Sequence, residues 1–309
     1  MSRLIGVLFL LTASGLLPAR GDAGPSLAAG PGYSSFTAYS RAGNPAAYMS
    51  GIQAFDYDDE GALYVMVENR YLIKNPAWSA QTLYDLGATP WTFPSFVRVW
   101  GGRVYFGESY NFQRIFSVST DGEEGPSAPL NGNYDCAVNS QSQVFLSAAW
   151  ATGTADFSGN KICYWDEETL PAIVAVVGGN SGPIAFDRSD NLYYGRSMQY
   201  PPVLEDVVYY TASQLAGAIA SGIPLTSADW HVFAGGIDSP AAFAFDGEAD
   251  PSLFSTSGLQ TVSRLRAGDI SERVAGMSWP TFAAFSSAPA GFSPFLPGGG
   301  RLFVLGTDY

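Results

Sequence analysis

The amino-acid sequence predicts an all-β fold, a six-bladed β-propeller, and three observations support that prediction. A short apolar triplet rich in strand-forming residues recurs six times along the 309 residues. Another apolar strand and a turn-rich segment precede every copy. Aromatic residues make up 14% of the chain, which also has 35 glycines and 20 prolines, and this composition suits many short strands joined by tight turns.

The six triplets define one strand of each predicted blade. They lie at residues 63–65, 104–106, 144–146, 192–194, 253–255 and 302–304. The apolar strand before each triplet lies at residues 52–55, 95–99, 135–138, 183–186, 241–245 and 281–285. In five copies a third strand follows, at residues 71–73, 114–118, 161–165, 207–210 and 261–265. A unit of this size that repeats six times is typical of a propeller.

The ends of the repeat predict how the ring closes. The sixth copy leaves no room for a third strand, whereas residues 33–39 alternate as a strand should and precede the first copy. We expect residues 33–39 to complete the sixth blade and so to remove both open sheet edges. Residues 212–221 carry apolar side chains at helical spacing, which predicts a short helix inserted in the fourth blade.

Residues 1–23 have the order of a secretory signal peptide. Arg3 supplies a positive charge before the apolar run at residues 4–17, and small residues follow as far as Ala23. The run is shorter than the ~20 residues of a membrane-spanning helix, so we expect cleavage near Ala23. The alternative is an uncleaved N-terminal anchor. With cleavage, residues 24–309 form a single β-propeller domain that is secreted or periplasmic and has no membrane span.

The formal charge of −13 constrains the partners. Such an acidic surface repels phosphate backbones and anionic lipid headgroups, so nucleic-acid and membrane partners are not expected. We expect a monomer that binds a carbohydrate or a protein partner.

Residues 184–194 combine a strand, an aspartate-containing turn and a strand that begins Leu-Tyr. This pattern resembles NHL-repeat and SMP-30-like six-bladed propellers, and the resemblance covers most of residues 33–309. SMP-30-like lactonases hold a divalent metal in the central channel with acidic and amide side chains from several blades. The residues that open the innermost strands here are Gln53, Ser95, Asp135, Ser181 and Ser239. Only one of these is a carboxylate, so a calcium-dependent lactonase is poorly supported.

Asp56, Asp58 and Glu60 form the densest acidic cluster and stand at alternate positions before Gly61. Such oxygen ligands can bind calcium, but the helical calcium loop also needs a glutamate at its twelfth position, which is Val67 here. The alternative is a turn between blade strands in which aspartates cap their own backbone. We expect no cofactor, with calcium at this cluster as the competing hypothesis.

Histidine-based catalysis is nearly excluded, because His231 is the only histidine and lies in a predicted strand. Cys136 and Cys163 would meet an oxidising environment after export. They fall on the first and third strands of one blade, ~9–10 Å apart, whereas a disulfide needs Cα atoms within about 7 Å. Either the thiols are separate or a strand boundary is misplaced, and we expect free, buried thiols.

One face of the predicted propeller carries the loops from second to third strands and the loops that join consecutive blades. We call it the loop-bearing face. Flat rings that stack and polar groups that fix orientation suit a surface that binds sugars or peptides. The predicted ligand-binding residues are Trp91, Tyr110, Asn111, Tyr134, Trp150, Tyr200 and Trp279. The alternative is that several of these rings pack between blades.

These expectations favour a non-enzymatic exported propeller that binds a ligand or protein partner through the loop-bearing face. The alternative is an extracytoplasmic hydrolase, lyase or lactonase that acts on a carbohydrate or lactone. Its candidate acid and base are Glu68 and Glu108, which directly follow the second strand in adjacent blades. Equivalent positions in a repeat are equally compatible with a structural role.

Overall fold

A computed structural model of the protein describes most of the chain. The described residues are 3–4, 27–29, 33–34, 52–75, 79–87, 92–149, 159–178, 182–195, 204–238, 240–245, 252–257, 261–267 and 269–277. Their regular secondary structure is antiparallel β-sheet, apart from one α-helix and one short parallel strand pair.

Five antiparallel sheets follow one another along the chain, after three short strands. The short strands are β1 (Arg3–Leu4), β2 (Leu27–Ala29) and β3 (Tyr33–Ser34). Sheet 1 contains β4 (Ile52–Tyr57), β5 (Leu63–Val67), β6 (Tyr71–Lys74) and β7 (Gln81–Asp85). Sheet 2 contains β8 (Pro94–Trp100), β9 (Arg103–Glu108), β10 (Arg114–Ser119) and β11 (Glu124–Pro129). Sheet 3 contains β12 (Asn133–Val138), β13 (Val144–Ala148), β14 (Lys161–Trp165) and β15 (Ala172–Val176).

The last two sheets differ slightly from this pattern. Sheet 4 contains β16 (Ile184–Phe186), β17 (Leu192–Gly195), β18 (Leu204–Tyr210) and β19 (His231–Asp238), with the helix α1 (Ala212–Ser221) between its last two strands. Sheet 5 contains β20 (Pro240–Phe245), β21 (Leu253–Ser257), β22 (Thr261–Arg266) and β23 (Asp269–Met277), and β2 pairs with β23 as a fifth strand.

Within each of the five sheets the four consecutive strands lie side by side in chain order, so the first of them is always at one edge, and in sheet 5 the additional strand β2 lies beyond the fourth. The first strands of consecutive sheets are neighbours in space, from β4 to β8, β12, β16 and β20. Each sheet therefore has its first strand on the inside of the assembly and its fourth strand on the outside. Because hairpins alternate in direction, the turns from first to second strands lie at the end opposite to the loop-bearing face.

Four apolar clusters fill the spaces between consecutive sheets. The second strands lie at the middle of this packing, and every residue of β5 and β13 is buried. The fourth strands are more exposed, and in β11 only Ala128 is buried. Burial on both faces explains why the second strands are continuous apolar runs, whereas the outer strands carry a weaker pattern.

A shared turn links the first two strands in sheets 1 and 4. The Asp58 carboxylate accepts the backbone N–H groups of Glu60 and Ala62 and the Tyr64 hydroxyl, at 3.1, 2.7 and 2.9 Å. Asp187 accepts the equivalent groups two, four and six residues later, at 2.8, 2.9 and 3.2 Å. In sheet 3, Asn139 accepts the first two of these bonds. The turn is thus closed by the side chain that begins it.

The helix α1 is fixed by its caps and by packing against sheet 3. Thr211 and Gln214 form a reciprocal capping box, and the chain leaves the helix at Gly222, whose φ of 68° suits glycine. Leu215 and Ala218 are buried in the cluster between sheets 3 and 4. Beyond the helix, Leu225 exchanges backbone hydrogen bonds of 2.8 Å with residues of β15.

The described strands include the first three strands predicted for each of the first five copies. The prediction lacked the fourth strand of every sheet. The predicted sixth copy, at residues 281–285 and 302–304, lies outside the described residues. So do residues 35–39 of the predicted closing strand, while Tyr33–Ser34 pairs in parallel with Arg3–Leu4.

Candidate functional site

A buried group of three charged side chains lies on the innermost strands of sheets 1, 2 and 3. Arg98 of β8 is 7% exposed, and its guanidinium lies 3.1 Å from an Asp135 oxygen and 3.9 Å from an Asp56 oxygen. Its Nε donates to the Cys136 carbonyl at 2.8 Å. The two carboxylates also accept backbone N–H groups, Asp56 from Val99 and Asp135 from Ile184. This ionic group therefore ties together the first strands of four consecutive sheets.

Burial governs the protonation of this group. It raises the pKa of Asp56 to about 7, because the nearby Arg98 and two backbone N–H groups offset the loss of water only in part. Burial also raises the pKa of Asp135, against the opposing effect of Arg98. Burial acts to lower the pKa of Arg98, but the two carboxylates outweigh it, and the net shift is upward. Two carboxyl groups share one guanidinium, so one of them is readily protonated.

A cavity of about 400 Å³ lies beside Arg98, between the first strands of sheets 2 to 5. Its walls are mostly apolar, with Ile184, Phe243 and Phe245 among the lining side chains. Ser140 and Asp187 also line it, and both belong to turns from first to second strands. The cavity is thus at the end of the molecule opposite to the loop-bearing face.

On the loop-bearing face, Glu108 organises the loop between β9 and β10. Its side chain is fully buried, and one oxygen accepts the N–H groups of Phe93, Tyr110 and Asn111 at 2.7, 2.9 and 3.0 Å. The other oxygen accepts the next two N–H groups of the loop, from Phe112 and Gln113. Five backbone donors therefore converge on one carboxylate.

The same loop presents aromatic rings to solvent. Tyr110 is 64% exposed, Phe93 is 58% exposed, and Asn111 is exposed beside them. Both rings belong to residues whose own N–H groups bond to Glu108, so their backbone positions are fixed. Gln113 has a φ of 49°, in the left-handed region, where the loop turns back into β10.

Neighbouring loops brace this surface. The Asn133 side-chain amide donates to the carbonyls of Glu108, Arg114 and Leu130, which joins sheets 2 and 3. Gly107 makes room for it, since a Cβ at that position would meet the Asn133 side chain. On the other side, the Thr92 hydroxyl donates to the Asn69 carbonyl in the turn after β5. The loops of the first three sheets therefore form one connected surface.

Tyr134, one of the predicted binding residues, forms a hydrogen bond within the protein. Its hydroxyl donates to the carbonyl of Ala241 in sheet 5, at 3.0 Å, although Tyr134 itself belongs to sheet 3. The side chain therefore reaches across the interior of the assembly near the loop-bearing face.

The remaining predicted site residues fall into three groups. Glu68 lies half-buried in the turn after β5, where Glu68 and Asn69 both have positive φ values, of 56° and 53°. Asp56 and Asp58 have separate roles, in the buried ionic group and in a turn, and Glu60 is exposed. In the described part of the chain, no three His, Cys, Asp or Glu side chains are grouped as a metal site. The predicted binding residues outside the described ranges are Trp91, Trp150, Tyr200 and Trp279.

The cysteines are free and buried, which confirms the expectation from their strand positions. Leu146 lies between them, because it pairs with Cys136 on one side and with Cys163 on the other. Burial raises the pKa of both thiols, that of Cys163 to about 12. His231 lies on the outer strand β19, exposed, with its ring against that of Tyr209.

Sequence reasoning missed two residues that shape the site. Arg98 is the one charged residue of the mostly apolar strand β8, and that contrast was the available signal. Phe93 precedes β8 and lies two residues after the predicted binding residue Trp91, and this proximity was its only signal in the sequence.

No protein-family model matches the sequence, and neither does any curated protein. In the described residues, no helix is long and apolar enough to cross a membrane.

Solved structures do match in fold. A catalytically inactive virginiamycin B lyase from Staphylococcus aureus, with quinupristin, is 15% identical over 76% of this chain and 73% of that chain, with a TM-score of 0.54. A chain of the mitotic checkpoint complex is 13% identical over 89% of this chain and 76% of that chain, with a TM-score of 0.50. At such identities the likeness shows the fold alone. Virginiamycin B lyase is a β-propeller, and the repeated four-stranded sheets with adjoining first strands show that this chain is a β-propeller as well.

Proposed function

We propose that this protein is an exported six-bladed β-propeller that binds a carbohydrate through its loop-bearing face without catalysing a reaction. The sixth blade would come from residues 281–285 and 302–304, closed by residues 33–39. The repeat supports a count of six blades, since the first five copies of the pattern each form one sheet. The order of residues 1–23 supports export.

The observation that supports the binding function is the loop held by Glu108. Five N–H groups converge on its carboxylate, so the loop has little freedom left to lose when a ligand binds. That loop exposes Tyr110 and, through the neighbouring segment, Phe93. The backbones of Phe93 and Tyr110 meet at the same Glu108 oxygen, and exposed rings that are grouped in this way mark an interaction site more strongly than a single exposed ring does.

A carbohydrate fits this surface better than a charged partner does. The polar groups beside the two rings are the amides of the exposed Asn111 and the half-buried Gln113, which can orient hydroxyl groups through neutral hydrogen bonds. Sugar rings have apolar faces that stack on aromatic side chains. The acidic charge of the chain as a whole disfavours anionic ligands.

The geometry at Glu108 argues against the acid–base alternative. A general acid or base must exchange a proton with a substrate through an accessible oxygen. Both Glu108 oxygens are buried and accept backbone N–H groups instead. The contacts of Glu108 thus support a role in holding the loop.

The experiment is a glycan array with the mature protein, followed by titration of the best ligand against Tyr110→Ala and Phe93→Ala. We expect each substitution to weaken binding by at least about ten-fold, as for exposed rings at the centre of an interface. Leu170→Ala is the matched control, since Leu170 is also 58% exposed but lies in a turn at the opposite end. Unchanged binding by both aromatic variants would overturn the assignment of the face. Mass spectrometry of the incubated glycan should show no conversion, and a product would overturn the non-enzymatic part.

A further inference from the structure

The alanines that line the central cavity occupy the same position in consecutive copies of the repeat. This position lies on the first strand of each sheet, opposite the middle residue of the apolar triplet on the second strand. In sheets 1 to 5 it is Asp56, Arg98, Ala137, Ala185 and Ala244. The three alanines line the cavity, and they succeed one another around the interior. The space exists because three consecutive sheets have alanine where the first two have long or charged side chains.

The walls suit a small apolar molecule. Besides the alanines, Phe186, Phe243 and Phe245 line the cavity. Its volume of about 400 Å³ falls within the range of roughly 300–1,000 Å³ that is typical of small-molecule sites. Replacing the water in an apolar cavity of this size with an apolar molecule is favourable, because it removes apolar surface from water.

The charges around the cavity disfavour an anion. Arg98 and Arg188 line it, but Asp187 and Asp190 line it too. Asp56 and Asp135 stand behind Arg98 and already engage its guanidinium. One of these last two carboxyl groups is readily protonated, so among the described residues three carboxylates remain against two guanidinium groups, and a further negative charge in the cavity meets a net repulsion.

We propose that the central cavity is a second binding site, for a small apolar molecule without negative charge. The ligand enters from the end that carries the first-to-second-strand turns. None of the described residues that line the cavity belongs to the Glu108 loop or to the segment of Phe93, so the two proposed sites are separate. This inference does not rest on carbohydrate binding.

Two fluorescent probes with the same ring system test the site. N-phenyl-1-naphthylamine is uncharged, and 8-anilinonaphthalene-1-sulfonate adds a sulfonate. We expect the uncharged probe to bind saturably with one site per chain, and the sulfonate to bind at least about ten-fold more weakly, since one unfavourable charge contact of ~1.4 kcal/mol gives that factor. Absence of saturable binding by the uncharged probe overturns the site. Equal affinity for both probes overturns the class of ligand.

The location is tested by filling the cavity. Ala185 is half-buried and faces the space, so Ala185→Trp should place its indole there and weaken binding of the uncharged probe by about ten-fold or more. Ala216→Trp is the matched control, because Ala216 is exposed on α1. This control should bind the probe as the parent does. If Ala185→Trp does not fold, Ala244→Leu fills the same space with less bulk. A folded filling variant that binds the probe as the parent does overturns the location.

Discussion

Replacing Glu108 with glutamine should lower the free energy of unfolding by about 3 kcal/mol, because two charge-assisted hydrogen bonds of roughly 1.5–3 kcal/mol each are lost. Glutamine can keep its oxygen towards Phe93, Tyr110 and Asn111. Its NH₂ group then faces the N–H groups of Phe112 and Gln113, which lose their acceptor. The lower end of the range applies, since the loop lies near the surface and water can reach donors that turn outward.

Urea denaturation followed by fluorescence measures this loss, and hydrogen exchange of the amides of residues 110–113 measures it locally. Glu123→Gln is the matched control, because Glu123 is exposed in the turn before β11, and it should change stability by less than about 0.5 kcal/mol. We also expect Glu108→Gln to weaken glycan binding, since the loop becomes mobile. If Glu108→Gln is as stable as Glu123→Gln and its loop amides remain protected, the structural role assigned to Glu108 is wrong.

Three further predictions concern buried groups. The pKa of Asp56 is raised to about 7 in the folded state from 3.8, so the stability that its neutral form contributes is complete below pH 4 and is lost as the pH rises through 7. Asp56→Asn should flatten the change in urea midpoint between pH 5 and 8, and parallel profiles for variant and parent would contradict this. Asp58→Ala and Asp187→Ala should each cost about 1–3 kcal/mol, because both remove the same three turn hydrogen bonds, and Asp187→Ala should cost more because it also removes the bond from the Asn191 amide. Chelator should leave the melting midpoint unchanged, and a large downward shift would favour a bound ion. Cys136 and Cys163 should react with a thiol reagent only after unfolding, whereas a reductant-sensitive midpoint would indicate a disulfide.

The inner part of each sheet could be predicted from the sequence, and the outer part could not. The second strands are buried on both faces, so nearly every residue is apolar and the repeat is visible. A fourth strand such as β11 reads Glu-Gly-Pro-Ser-Ala-Pro and keeps one buried residue. Prolines are tolerated there because an outermost strand has no further neighbour to bond. In the sequence, a strand with so few apolar residues cannot be distinguished from a loop.

The contacts of the candidate site could not be predicted, because many of them join residues that are far apart in the sequence. Arg98 and Asp135 are 37 residues apart, and only the ring of adjoining first strands brings them together. Glu108 was recognised as a polar residue directly after a strand, but a catalytic and a structural carboxylate look alike in sequence. What distinguishes them is the backbone of the following five residues, which folds back onto the side chain.

The segment that follows α1 also affects the tendency of the protein to aggregate. An outermost strand normally offers a row of unsatisfied backbone groups to other chains, and such an edge invites aggregation. Leu225 occupies part of the β15 edge through its two hydrogen bonds to Val174 and Val176, and α1 covers the neighbouring surface. A segment inserted between two strands of sheet 4 thus shields the outer edge of sheet 3 from pairing with strands of other molecules. This shielding should reduce self-association of the protein at high concentration.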